Sequence, residues 1–376
     1  MAARIKVVAA VFFVVACNNT AQAPSSTPVA ATAGGSVGVI LAGDATGPRY
    51  ANFRTQLSAA FQGAGYEYRI DDVVDQVAQA QSDIAGGASV IVIDPRDDQT
   101  GSQVAAYARE RGVKVITFEH PIYAGAGNYH VTFDSVQAGK LIGQGFMKCV
   151  SDWKVKNPKV FVLNGGEDTD PNAVSLAKGY NQVVWGDTTT PQTPGKTNVI
   201  GYTLIGDQVA KGWDVASGTT AFKEYYKAHK EINATLEASD DLGNAVIQVL
   251  KTAGVKPNTV PTTGQDATLQ GLANVLQGYQ CGSVYRPLAP EARAIVALAT
   301  ALRAGGTVST LVKGIVHPPA GVLGNEQPAT LLSPVWVTAA NMEATVLKDG
   351  YVDRAALCGV VGTAVCQANN IAAAGA

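Results

Sequence analysis

The chain has 376 residues, enough for two domains that each bury a core of their own. Charged residues make up 15% and the formal net charge is -2, which leaves no basic field for nucleic acid and no acidic tail. Hydrophobic residues reach 47% with 40 glycines, a composition that fits many tight strand-to-helix turns and argues against several membrane spans.

At the start, Arg4 and Lys6 precede the apolar run VVAAVFFVVA. About ten apolar residues are too few to cross a bilayer and suit the centre of a secretory signal. Two cleavage sites are present: AQA (Ala21 to Ala23), like an ordinary signal-peptidase site, and VVAC, which resembles a bacterial lipobox whose cysteine becomes a lipidated first residue. Cys17 is the preferred site, because Pro24 would follow the other and proline disfavours cleavage there. Residues 1–17 are then a lipoprotein signal, and residues 18–35, small and polar with scattered proline, a flexible tether. Export places Cys149, Cys281, Cys358 and Cys366 where disulfides persist. Four cysteines allow three pairings, which sequence does not choose among, although the short separation in CGVVGTAVC favours Cys358–Cys366; free thiols are the alternative.

From Val37 onward, short apolar runs alternate with stretches of helical pattern. The runs are VGVIL, YEYRI, SVIVID, KVITF, NYHVTF, KVFVLN, VIGYTL, ATLEAS, VPTTG and CGSVY. Continuous apolar strands separated by helices predict parallel sheets covered on both faces, a doubly wound α/β architecture. Ten to twelve strands exceed what one such sheet usually holds, so two Rossmann-like lobes are expected.

Ligands of open α/β sheets lie beyond the carboxyl ends of the strands. Those ends carry Asp44, Asp94, Glu119 with His120, Asp134 with Ser135, Asn164, Asp240 with Asp241, and Gln265 with Asp266. Helix capping explains some of them, and Asp94 in DPRDD reads as a cap. It explains the set poorly, since Ser and Thr cap nearly as well and are scarce at these corners. The four histidines and the cysteines lack metal-ligand spacing, so no metal or other cofactor is expected. GGSVG precedes the first strand and cannot form a nucleophile elbow, PGKT lacks the first glycine of a phosphate loop, and there is no G-x-G-x-x-G. Paired carboxylates leave glycoside hydrolysis as the enzymatic alternative. Gripping hydroxyls suits the inventory best: carboxylates and amides paired with arginine satisfy OH groups, and aromatic faces cover C–H surfaces. Arg49, Tyr50, Arg286 and Trp213 supply those partners.

The segments RYANF, FEHPI, YHVTFDSVQAGKL, LNGGEDTDPNA, ASDDLGNAVI, TTGQDATLQGL and VYRP together resemble the periplasmic sugar-binding proteins of the ribose/xylose class, most of all the D-xylose-binding proteins of bacterial ABC importers. The resemblance covers roughly residues 37–351. It implies a type I periplasmic binding protein fold, with two lobes joined by a three-segment hinge near Glu119–Ile122, Val284–Leu288 and Ser333–Val337. The N-terminal lobe would span 36–120 plus 288–333, and the C-terminal lobe 121–287 plus 334–366. Carried over residue by residue, the sugar contacts fall on Arg49, Tyr50, Glu119, His120, Asp134, Ser135, Asn172, Trp213, Asp240, Asp241, Gln265, Asp266 and Arg286.

Departures from that pattern fall where the sugar would be selected: FEH stands for YDR, Ser135 for an asparagine, SDD for SND, and Arg286 for a hinge lysine. The function implied is capture of a monosaccharide, xylose-like or another aldose, by a monomeric lipid-anchored protein that delivers it to an ABC permease. A sensor presenting the closed form to a chemoreceptor or histidine kinase is the alternative.

Overall fold

The computed structural model describes residues 35–42, 48–125, 127–167, 170–189, 192–318 and 323–371. The expected signal, Cys17, most of the tether and Asp44 lie outside the described residues. In chain order the first elements are β1 (Ser36–Ala42), α1 (Pro48–Ala64), β2 (Tyr68–Val73), α2 (Gln76–Ala85), β3 (Ala88–Ile93), α3 (Asp98–Glu110), β4 (Lys114–Phe118) and β5 (Asn128–Phe133). There follow α4 (Ser135–Asp152), β6 (Lys159–Gly165), α5 (Pro171–Trp185), β7 (Thr203–Ala210), α6 (Val215–Ala228), β8 (Ala234–Glu237), α7 (Asp240–Thr252), α8 (Leu269–Leu276) and β9 (Ser283–Tyr285). The last are α9 (Leu288–Arg303), β10 (Gly314–Val316), β11 (Gln327–Leu332), β12 (Val335–Val337), α10 (Arg354–Val361) and α11 (Thr363–Ala368).

The first sheet has the order β10-β11-β5-β4-β3-β1-β2, parallel throughout except for β10 at the edge. Its central strands are apolar on both faces, as sheets wrapped by helices require. Val90 and Val92 of β3 face the core shared with α1 and α9, while Ile91 and Ile93 face that of α2 and α3.

The second sheet is built on parallel β7-β6-β8. Next to β8 runs the expected VPTTG strand, held irregularly. The Thr235 amide donates to Pro261 O (2.8 Å) and the Glu237 amide to Thr263 Oγ1 (2.8 Å). Pro261, which has no N–H, only accepts, and at the next rung the Thr263 hydroxyl takes the place of a ladder carbonyl. Beyond it, Val284 of β9 donates to Gly264 O (3.1 Å), and β12 closes the edge antiparallel to β9.

The chain passes between the sheets three times: at Asp134, at residues 286–287 and at residues 333–334. The first passage corrects the expected one near Glu119–Ile122. β5 pairs with β4 on one side and β11 on the other, so residues 128–133 belong to the first sheet and not to the second lobe.

Cys149 pairs with Cys281 and Cys358 with Cys366. The pairing favoured by short separation is thus present. The other bridge ties α4 to the approach to β9 across 132 residues of sequence, and closing so long a loop stabilises a fold by about 3–5 kcal/mol.

Candidate ligand-binding cleft

Strand β4 ends at Phe118, and Glu119 turns the chain with φ 55°, a left-handed conformation that a residue with a Cβ adopts only under constraint. The turn aims Glu119 and His120 beyond the sheet edge. His120 Nδ1 lies 2.8 Å from Asp94 Oδ1, and the Tyr50 hydroxyl donates to the other oxygen of the same carboxylate. The hydrogen bond that His120 donates to Asp94 raises the His120 pKa against the opposing effect of burial, helped by the charges of Asp94, Glu119 and Asp170. Asp94 is not a helix cap as expected: α3 starts four residues later and Asp97 caps it, accepting from the Thr100 amide at 2.7 Å. Buried Asp94 instead anchors Tyr50 and His120, so Tyr50 reaches the cleft through Asp94. Arg49 sits at the start of α1, and its side chain lies outside the described residues.

Arg286, in the second passage, lies between two carboxylates. Nη1 is 3.3 Å from Glu119 Oε2 and Nη2 is 3.2 Å from Asp266 Oδ1. A planar guanidinium holds two such acceptors at once, and it is half-buried here, where charge-assisted bonds gain strength. Asp266 also has a left-handed backbone (φ 94°), as does Trp213 (φ 62°). Strained conformations of this kind persist where surrounding contacts over-determine them, and these gather around one cavity.

The opposite wall comes from the N-termini of α4 and α5. These helices touch backbone to backbone, because a Cβ at Gly139 would strike the Leu176 carbonyl and one at Gly179 the Val136 carbonyl. The approach places Ser135 beside Asn172, with Ser135 Oγ donating to Asn172 Oδ1 at 3.2 Å. Asp170 caps α5, accepting from the Asn172 amide at 2.9 Å, and its second oxygen accepts from Trp213 Nε1 at 2.7 Å. Trp213 lies flat on Gly165, where any side chain would collide with the indole.

These groups enclose a cavity of about 440 Å³. Glu119, His120, Ser135, Asn172, Trp213, Gln265, Asp266 and Arg286 line it as expected, joined by Asp170 and the apolar Pro121, Phe133, Ala138, Pro171 and Leu176. Sequence reasoning passed over Asp170, though its Asp-Pro signal before a helix stood two residues from Asn172.

Four expected contacts among the described residues do not line this cavity: Tyr50, which bonds Asp94 instead, and Asp134, Asp241 and Asp240. Asp134 caps α4, accepting from the Gln137 amide at 2.9 Å, and faces an adjoining cavity of about 450 Å³. Asp241 is exposed in the first turn of α7, where its charge favours the helix N-terminus. Asp240 is fully buried behind the site, accepting from the Thr268 amide and from Gln280 Nε2, both at 2.7 Å. Burial, with the nearby charge of Asp266, pushes its carboxyl up to about 7 despite hydrogen bonds from Ser283, Thr268 and Gln280. Asp240 therefore shapes the loop that carries Gln265 and Asp266. Among the described residues no group of three His, Cys, Asp or Glu side chains could hold a metal ion.

Residues 37–307 match the periplasmic binding protein domain. The chain is 30% identical over 308 residues to a multiple sugar-binding periplasmic protein of Azospirillum brasilense, covering 78% of this chain and 84% of that protein. It is 27% identical over 281 residues to the D-xylose-binding periplasmic protein of Escherichia coli, covering 73% of this chain and 77% of that one. A carbohydrate transporter solute-binding protein of Chloroflexus aurantiacus in complex with D-glucose matches the fold with a TM-score of 0.65 at 20% identity, over 85% of this chain and 96% of that one. The chain therefore belongs to the periplasmic binding protein family, has its type I fold, and falls in the class of the ribose- and xylose-binding proteins.

Proposed function

We propose that this protein captures a monosaccharide, an aldopentose or aldohexose, between its two lobes and delivers it to an ABC permease. The observation that carries the reading is Arg286, strung between Glu119 of the first lobe and Asp266 of the second in a cavity that Trp213 also lines. Carboxylates, amides and a guanidinium match a ring of hydroxyls that both donate and accept, and an indole face suits sugar C–H surfaces. The size fits: small-ligand sites run from roughly 300 to 1,000 Å³. The relatives named for sugars support the same ligand class.

Binding here is capture without turnover. Sugar bridging both lobes stabilises the closed form by its better affinity for that form, and the closed form is what a permease distinguishes. Micromolar affinity needs about 8 kcal/mol, within reach of a few charge-assisted hydrogen bonds with aromatic burial.

Titrating the protein that lacks residues 1–17 with a monosaccharide panel, by tryptophan fluorescence and calorimetry, tests the reading. Saturable micromolar binding of one pentose or hexose is expected; silence across the panel overturns it. The same proposal places the protein outside the cytoplasmic membrane as a monomer anchored through Cys17. Mass spectrometry of the mature protein should find a lipidated N-terminal Cys17, and an unmodified chain starting at Pro24 would sink the anchor.

A further inference from the structure

Tyr351 lies in the segment between β12 and α10, outside the lining of the cleft cavity, and it packs on the cores of both lobes. Its ring packs against the core of β1, β3, β4, α1 and α9 and also against the core that α8, β9, β12 and α10 share. It meets the ring of Tyr285, the residue before Arg286, at 4.8 Å between centroids and tilted by 52°, while the Tyr285 hydroxyl donates to Asp349 at 3.1 Å. The Tyr351 carbonyl receives Asn52 Nδ2 of α1 at 3.5 Å. The Tyr351 hydroxyl, in the other direction, donates to the backbone carbonyl of Asp266 at 3.0 Å.

That carbonyl belongs to the most constrained corner of the cleft. Asp266 and Ala267 both have left-handed backbones, at φ 94° and 47°. Three successive backbone amides here are held by β9 and by the start of α7. The Asp266 amide donates to Val284 O (2.8 Å), the Ala267 amide to Ser283 Oγ (2.9 Å) and the Thr268 amide to Asp240 Oδ2 (2.7 Å). Two adjacent residues in this region cost on the order of 1–3 kcal/mol each, so loss of one partner gives the corner a reason to relax. A further cavity of about 190 Å³ lies beside Tyr351, lined from both lobes by Asn52, Gln56, Leu288 and Asp349 among others, and gives the segment room to shift as the lobes turn.

We propose that Tyr351 is a positioning residue that holds the Asp266 corner in its sugar-accepting geometry and couples that corner to the angle between the lobes. The inference rests on the sugar-binding reading above for its functional consequence, but its structural core is testable without any sugar. Tyr351→Phe keeps the ring packing and removes only the hydroxyl. Hydrogen exchange followed by mass spectrometry on the ligand-free protein should show the peptide spanning 262–268 and the α1 peptide exchanging at least about threefold faster, with the melting temperature nearly unchanged. Unchanged exchange at 262–268, or acceleration spread evenly over the whole chain, overturns the proposal.

With D-xylose and D-glucose as probes, the variant should bind about tenfold more weakly, the loss expected for one hydrogen bond to a strained acceptor, and mainly through faster dissociation. Equal affinity and off-rate in variant and wild type would also overturn it. If the wild type binds neither sugar, the sugar-binding reading is what fails, and the exchange result alone decides the role of Tyr351.

Discussion

Arg286→Ala should weaken monosaccharide binding by at least about a hundredfold while leaving a folded protein. The guanidinium bridges two of the cleft carboxylates, at 3.3 Å from Glu119 and 3.2 Å from Asp266. Removing it deletes a donor for sugar hydroxyls and leaves two carboxylates facing one small cavity without the charge between them. A hydrogen bond to a charged group contributes about 1.5–3 kcal/mol, and two of them lost approach 3 kcal/mol or more, which is a hundredfold in affinity. Arg286→Lys should recover part of the loss, because a single ammonium restores the charge but not the two-pronged geometry. Calorimetry on both variants, with circular dichroism to confirm folding, makes the comparison. Affinity in Arg286→Ala within threefold of wild type would remove Arg286 from the site.

Stability should decline steadily as pH rises from about 5 to 8. Glu237, at the end of β8, is completely buried, and burial pushes its carboxyl up to about 8 despite hydrogen bonds from Thr235 and the Thr263 amide. Burial likewise raises Asp240 to about 7 and Asp207 to about 6. Each of these acids is protonated in the fold at a pH where the unfolded chain has already ionised. Their contribution is therefore complete below the ordinary carboxylate pKa and is lost as pH climbs through the folded value. His130 works the other way: burial lowers it to about 4, so below the ordinary imidazole pKa the unfolded chain gains the proton and stability falls with falling pH. Three acids raised in the fold outweigh one histidine, so the net slope stays negative across the interval.

For Glu237 the slope is about 1.4 kcal/mol per pH unit, and water entry on ionisation reduces the total to about 2–4 kcal/mol. Glu237→Gln keeps an acceptor for the Thr263 amide, 2.8 Å away, and abolishes the titration. Thermal melts from pH 5 to 8.5 should show a clearly shallower decline in the variant. Parallel curves for the two proteins would mean that Glu237 does not titrate in the fold.

Much of this protein is written locally, in features that depend on neighbours in sequence. The apolar runs that become β1, β3, β4, β5, β6 and β8 are legible because a strand buried on both faces is predominantly apolar. The acceptors at Glu119, Gln265 and Asp266 are legible because strand ends are where an α/β sheet exposes side chains to a ligand. A short loop likewise favoured Cys358–Cys366.

What tertiary structure decided are the distinctions among residues of the same chemistry. Asp94, Asp134, Asp170, Asp240 and Asp266 are identical in sequence terms. One anchors His120 from behind, one caps α4, one fixes Trp213, one is sealed under the loop, and one faces the cleft. Apart from the cap at Asp134, made with Gln137 three residues on, those roles depend on partners from 20 residues away, as for Arg286 and Asp266, to 85, as for Tyr351 and Asp266, and no periodicity records such pairings. The first passage between lobes moved to Asp134 for the same reason. NYHVTF is fixed in the first sheet by β4 on one side and, on the other, by β11, which arrives some two hundred residues later.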